Sequence, residues 1–200
     1  SILWPGEIRW FAKSSGTTDT KSKFLPVSRE GIKENHFRAG RDMFTYFIKE
    51  FPDNEIFKGK CLTLGGSHQI DHSGGNQSVG DLSAILIENM PKWSDFYRTP
   101  KRDVVLIADF EDKLEKMIKE VVNENVTSFA GAPSWNLVMI KRILEVTGKE
   151  TLLDVWPNLE LFIHGGVSFG PYREQFHKVI PSSSMRYMET YNASEGFFAF

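Results

Sequence analysis

The chain has 200 residues, of which 40% are hydrophobic and 25% charged, the balance of a soluble globular domain. Its formal net charge of −2 excludes the basic field that nucleic acid or an anionic membrane surface selects. No run approaches the roughly 18 apolar residues of a membrane span, no signal peptide is visible, and the one cysteine, Cys61, leaves neither an intrachain disulfide nor a cysteine zinc cluster, which favours a reducing cytoplasm.

Residues 8–12 and 24–27 read as two strands. Between them stands Ser14-Ser15-Gly16-Thr17-Thr18, continued by Asp19-Thr20-Lys21-Ser22-Lys23. On composition alone this is a polar hairpin turn, because Ser, Thr, Asp and Gly are ordinary turn residues. It also has the means to hold a polyanion. Gly16 permits close backbone approach, successive N–H groups can form a nest for phosphate oxygens, and hydroxyls and lysines add donors and charge. The spacings of a Walker A loop and of Gly-x-Gly-x-x-Gly are both absent.

Ser28 is placed to cap a helix running to about residue 51, weakened by Gly31 and Gly40. Residues 60–64 read as a buried strand ended by Gly65-Gly66. His68 and His72 flank Asp71 at the spacing of helical metal ligands. Glycines on both sides oppose a helix there, so no zinc is expected, and 67–75 reads as a mobile loop beside a pocket. Asp81 caps a short helix over 82–90 that Pro91 ends. Residues 92–102 are a connection, and 103–109 stay ambiguous between strand and helix. From Phe110, Leu114, Met117, Ile118, Val121 and Val122 recur at helical spacing.

Residues 126–130 read as a strand that passes through Gly131-Ala132 into a helix opened by Pro133 and closed by Gly148. Another strand, 159–164, closes on Gly165-Gly166-Val167-Ser168. Pro171 opens a helix to about 179, 185–191 is a strand, and Asn192-Ala193-Ser194-Glu195-Gly196 turns into a last strand. Strands alternating with helices define an α/β fold, in which ligands sit beyond the carboxyl ends of the strands. The helix after Pro133 and the 65–80 stretch are expected to line a pocket. The chain lacks an initial Met and both ends are apolar, so it reads as an excised piece of a longer protein, a single partial domain over 1–200.

Three phrases carry a resemblance: Phe11-Ala12-Lys13-Ser14-Ser15-Gly16-Thr17-Thr18, Leu161-Phe162-Ile163-His164-Gly165-Gly166-Val167, and Glu189-Thr190-Tyr191-Asn192-Ala193-Ser194-Glu195-Gly196. In this order they resemble the nucleotide-binding motifs of adenylate-forming enzymes, and most closely the auxin-responsive acyl-acid amido synthetases and their bacterial relatives. The resemblance implies part of the large N-terminal domain of such an enzyme, β-sheets flanked by helices. It implies a ligase using ATP and Mg²⁺ that adenylates a small carboxylic acid and then joins the acyl group to an amino acid. It also implies roles. Ser14, Ser15, Gly16, Thr17 and Thr18 would wrap the β- and γ-phosphates with Lys21 or Lys23 as counter-charge. Gly165, Gly166 and Val167 would lie against adenine, and Tyr191 would border the adenine or the α-phosphate. Ser194 would bond the α-phosphate and Glu195 would hold Mg²⁺. The loop departs from the broad superfamily's Gly-x-Pro-Lys-Gly, which leaves both lysines in play. The ribose-binding aspartate and mobile C-terminal domain of the family would lie beyond Phe200, so this piece alone is expected to be inactive. A nucleotide-binding or interaction module without chemistry is the alternative. A serine hydrolase is disfavoured, because no Gly-x-Ser-x-Gly elbow exists.

Overall fold

A computed structural model of the chain describes residues 4–14, 23–65, 71–74 and 77–200. In chain order its elements are β1 (Trp10–Ser14), β2 (Lys23–Val27), a wide π-helical stretch (Gly31–Phe37) that runs into α1 (Arg38–Glu50), β3 (Lys60–Thr63), β4 (Asp71–Gly74) and β5 (Gln77–Gly80). Then follow α2 (Leu82–Asn89), β6 (Arg98–Thr99), α3 (Arg102–Val105), α4 (Phe110–Val121), β7 (Val126–Gly131) and α5 (Pro133–Thr147). The chain closes with β8 (Leu161–Gly165), α6 (Arg173–Val179), β9 (Arg186–Ala193) and β10 (Gly196–Ala199).

The larger sheet has six strands in the order β10-β9-β8-β7-β3-β6. β6, β3, β7, β8 and β9 run parallel, and β10 folds back antiparallel on β9. Both faces are covered, which is why β8 is a continuous apolar run rather than an alternating one. Phe162 points into the larger core, stacking on Phe129 at 4.2 Å and Phe176 at 4.8 Å, with α4 and α5 packed on the same side. Leu161 and Ile163 point the other way, against Met43 and Phe47 of α1. The smaller sheet has the order β2-β1-β5-β4, with β1 antiparallel to β2 and parallel to β5.

The helix ends follow the sequence signals in part. Ser28 Oγ accepts from the Gly31 N–H at 2.9 Å, and Asp109 Oδ1 accepts from the Asp112 N–H at 2.8 Å. Pro133 opens α5, and Gly148 ends it in the left-handed conformation at φ 64°. Asp81 precedes α2 without a side-chain cap bond. The segment 103–109 splits into the short α3 and the Asp109 cap of α4. The expected loop over 67–75 is in part a strand: β4 pairs antiparallel with β5. His68 and the side chain of His72 lie outside the described residues.

Candidate active site

The glycine turns after β7 and β8 and the end of β9 lie at one edge of the larger sheet, because β3, β7, β8 and β9 are parallel and each reaches that edge at its carboxyl end. Two glycines there have separate reasons to be glycine. A Cβ on Gly165 would stand 2.4 Å from the Thr190 carbonyl oxygen and 2.8 Å from Thr190 Oγ1. β8 and β9 close on each other only because that Cβ is missing, and Thr190 Oγ1 then donates to the His164 carbonyl at 3.1 Å. Gly166 has φ +82°, a conformation that L side chains avoid, and its Cβ position faces open space.

That open space is a cleft of about 620 Å³ lined by Gly166, Val167, Ser168, Tyr191, Asn192 and Ala193, among others. The structure therefore brings together three of the expected adenine neighbours: Gly166, Val167 and Tyr191. Val167 and Tyr191 are exposed to it, the Tyr191 ring leaning on Phe198 at 5.0 Å. Gly165 lies one residue back and lines a second, larger cavity instead. Ser194 and Glu195 form the turn between β9 and β10, Ser194 half-buried and Glu195 exposed.

The larger cavity measures about 1310 Å³. Its floor is the sheet face that carries Cys61, Thr63, Ser128, Ala130 and Ile163, and its roof is α1 with the preceding wide helix. Gly65 and Trp135 line it, as the sequence led one to expect of the 65–80 stretch and the helix after Pro133. Aromatic side chains, Phe44, Phe57, Trp93 and Tyr97, make much of its wall. The two cavities share Gly166, Thr190 and Asn192 in their linings, so they meet at the ends of β8 and β9.

The turn that carries Ser194 and Glu195 is held from outside the motif. Asn35 donates from Nδ2 to the Phe197 carbonyl at 3.1 Å and accepts the Phe197 N–H on Oδ1 at 2.6 Å. One step on, His36 Nδ1 meets Asn192 Oδ1 at 2.9 Å. Asn35 and His36 were invisible as site residues in the sequence, and Thr190 stood inside the third motif without a role of its own. Each is an ordinary polar residue whose partner lies far along the chain. Burial holds the His36 imidazole below its ordinary pKa, against the raising effect of the Asn192 bond. His164 is also buried, stacks on Phe169 at 4.3 Å and lines the larger cavity. Burial lowers its pKa as well, with Glu189 acting upward and Arg173 downward. Cys61 sits in the cavity floor with its thiol pKa pushed up by burial, so it is a packed thiol and not a ready nucleophile.

Of the first motif, Ser14 ends β1 opposite Lys23 at the start of β2, so the eight residues between them link two antiparallel strands. Ser15, Gly16, Thr17, Thr18 and Lys21 lie outside the described residues. Among the described residues, no three His, Cys, Asp or Glu side chains gather where a metal ion could sit. None of the described helices is long and apolar enough to cross a membrane.

A sheet covered on both faces, with β10 alone antiparallel and an apolar cavity opening on glycine turns at its carboxyl edge, is an arrangement in which α/β folds hold small-molecule ligands. Residues 1–185 match the family model described as the GH3 family N-terminal domain, and the chain belongs to that family. Among solved structures, the fold resembles the GH3.15 acyl acid amido synthetase in complex with 2,4-DB, with TM-score 0.62 and 13% identity over 92% of this chain. A second structure of GH3.15 acyl acid amido synthetase gives TM-score 0.63 and 12% identity over 88% of this chain. The chain spans 40% of the length of each. No curated protein matches the sequence significantly.

Proposed function

We propose that this chain supplies the nucleotide and acyl sites of an acid–amino acid ligase that works through an acyl-adenylate. The observation that carries the reading is the junction of two unlike cavities, a small glycine-floored cleft and a large apolar one, at Gly166, Thr190 and Asn192. A two-substrate reaction needs its reacting atoms at such a meeting point. In the first step a carboxylate oxygen attacks the α-phosphorus of ATP and pyrophosphate leaves. In the second, the amine nitrogen of an amino acid bonds to the acyl carbon, the amine loses a proton, and AMP leaves.

The residues present fit this use. Gly166 leaves room for a flat ring, and Tyr191 offers an exposed aromatic face beside it. Ser194 would bond the α-phosphate. Glu195 would hold Mg²⁺, which supplies positive charge to the phosphates when bound. Residues 14–18, with Lys21 or Lys23, would take the distal phosphates. Asn35 fixes the turn that carries Ser194 and Glu195, and the stacked His164 shapes the wall between the two substrates. The chemistry asks for positioning and charge stabilisation and no protein nucleophile.

The test is carboxylic-acid-dependent ATP–pyrophosphate exchange by the longer polypeptide that the relatives' length implies, run over a panel of apolar and aromatic acids. Exchange that requires both ATP and one class of acid supports the reading. Nucleotide binding without exchange for any acid favours the binding-module alternative.

A further inference from the structure

Arg98 lies deep in the larger cavity, far from the glycine turns. It opens β6, the outermost strand, opposite Cys61 of β3, and its side chain is 6% exposed. Its Nε donates to Asp95 Oδ1 at 2.8 Å. Its Nη1 and Nη2 are buried and have no partner. A buried guanidinium that satisfies one nitrogen of three is costly to keep. Arg98 as a mere brace for the Lys92–Phe96 turn would need only the Asp95 bond.

The local charge does not cancel. Asp95 is shared, because Arg102 Nη2 also donates to it at 3.1 Å and 3.2 Å, so two arginines face one carboxylate. Elsewhere in the lining Lys33, Arg38 and Arg41 are exposed, and Asp42 stands within 4.0 Å of both of those arginines, so Arg98 is a buried cation in an otherwise apolar and aromatic chamber. Such a chamber accepts an apolar body with an anionic end.

Arg98 is too far away to hold the carboxylate that would be adenylated. β6 is three strand steps from β8, about 14 Å at ordinary strand spacing. Arg98 is also level with Leu161 through Cys61 and Ser128, four residues before Gly165, roughly another 13 Å along the strand. The arginine side chain covers only part of that diagonal.

We propose that Arg98 anchors a second carboxylate at the far end of the acyl substrate, so that the site selects acids with an apolar or aromatic body and an anionic group at each end. This rests on the reading that the larger cavity is the acyl site. The bidentate fork of arginine matches a carboxylate through the two Nη groups that lack partners.

The experiment is isothermal titration of the chain with para-carboxyphenylbutanoate, with para-tolylbutanoate, which lacks the second carboxylate, and with the aryl methyl ester of the diacid. The diacid is expected to bind about tenfold or more tightly than the other two, the scale of one charge-assisted bond. Arg98→Met should bring the diacid down to the monoacid and leave the monoacid unchanged. The ester comparison needs no variant and decides the matter if Arg98→Met does not fold. Equal affinity for all three ligands overturns the proposal, as does the absence of measurable diacid binding at millimolar concentration. An equal loss for both acids on Arg98→Met also overturns it, because Arg98 then serves the reacting carboxylate or the fold. The adenylation reading is judged separately: pyrophosphate exchange absent with every acid, alongside intact diacid preference, sinks that reading and leaves the Arg98 site standing.

Discussion

Gly165 and Gly166 are adjacent, and their substitution by alanine should give effects of different origin and size. At Gly165 the new Cβ would lie 2.4 Å from a backbone oxygen of Thr190. That atom belongs to the residue paired with Gly165 across β8 and β9, so it cannot swing aside as a side chain would. The strands must part at the site. Overpacking of this kind costs about 1–3 kcal/mol, and about 2 kcal/mol corresponds to a fall in melting temperature of roughly 4–8 °C for a chain of this size. At Gly166 the Cβ meets nothing within 4 Å, and the cost is the φ of +82° alone. That strain is about 1 kcal/mol. Urea and thermal unfolding of both variants measure the order directly. Gly165→Ala should also weaken binding of a nucleotide analogue by opening the β8–β9 edge. A Gly165→Ala variant within about 0.5 kcal/mol of wild type, or one more stable than Gly166→Ala, would refute the close-approach argument.

Other outcomes follow from the same geometry. Asn35→Ala removes both bonds to Phe197 and should cost about 1–2 kcal/mol. If the longer polypeptide adenylates, this variant should lower the turnover number of exchange more than it raises the KM for ATP. Buried His36 and His164 both sit below the ordinary histidine value of 6.5, so the unfolded chain binds protons that the folded one refuses. Stability should therefore fall as pH drops below about 6.5 and stay flat above it, visible as a falling urea midpoint. His164→Gln should flatten part of that slope. Asp109→Ala removes the bond to the Asp112 N–H and should cost about 1 kcal/mol by urea unfolding.

The parallel layer was legible because its strands are apolar runs that end in glycine turns, and because α4 and α5 carry clear helical stripes. The β4–β5 hairpin was not. Its segment reads Asp71-His72-Ser73-Gly74, then Gln77-Ser78-Val79-Gly80, with no alternation of apolar residues to mark it. β5 pairs with β1 on its other side, a tertiary contact that no local pattern marks. The widened helix at Gly31–Phe37 was likewise hidden, although it aims Asn35 and His36 at the β9–β10 hairpin. At the candidate site, contiguous motifs pointed to Gly165, Gly166, Val167 and Tyr191, which line the two adjoining cavities. Arg98 was missed because it stands in a Trp-, Tyr- and Pro-containing connector, where an arginine ordinarily faces solvent. Only the two-residue pairing of β6 with β3 turns it inward.

The most direct test of the central claim is acid-dependent ATP–pyrophosphate exchange by the longer polypeptide, comparing Glu195→Gln with Thr17→Ala. Glu195→Gln keeps the shape and removes the charge that would hold Mg²⁺ at the α-phosphate. The expected result is a rate about 100-fold lower or more with little change in the KM for ATP, the scale of one lost electrostatic contact. Thr17→Ala removes one hydroxyl and should weaken ATP binding by roughly 1 kcal/mol, with turnover largely kept. Glu195→Gln near wild type beside a Thr17→Ala variant dead in turnover would contradict the account and leave the 191–195 turn as structure alone.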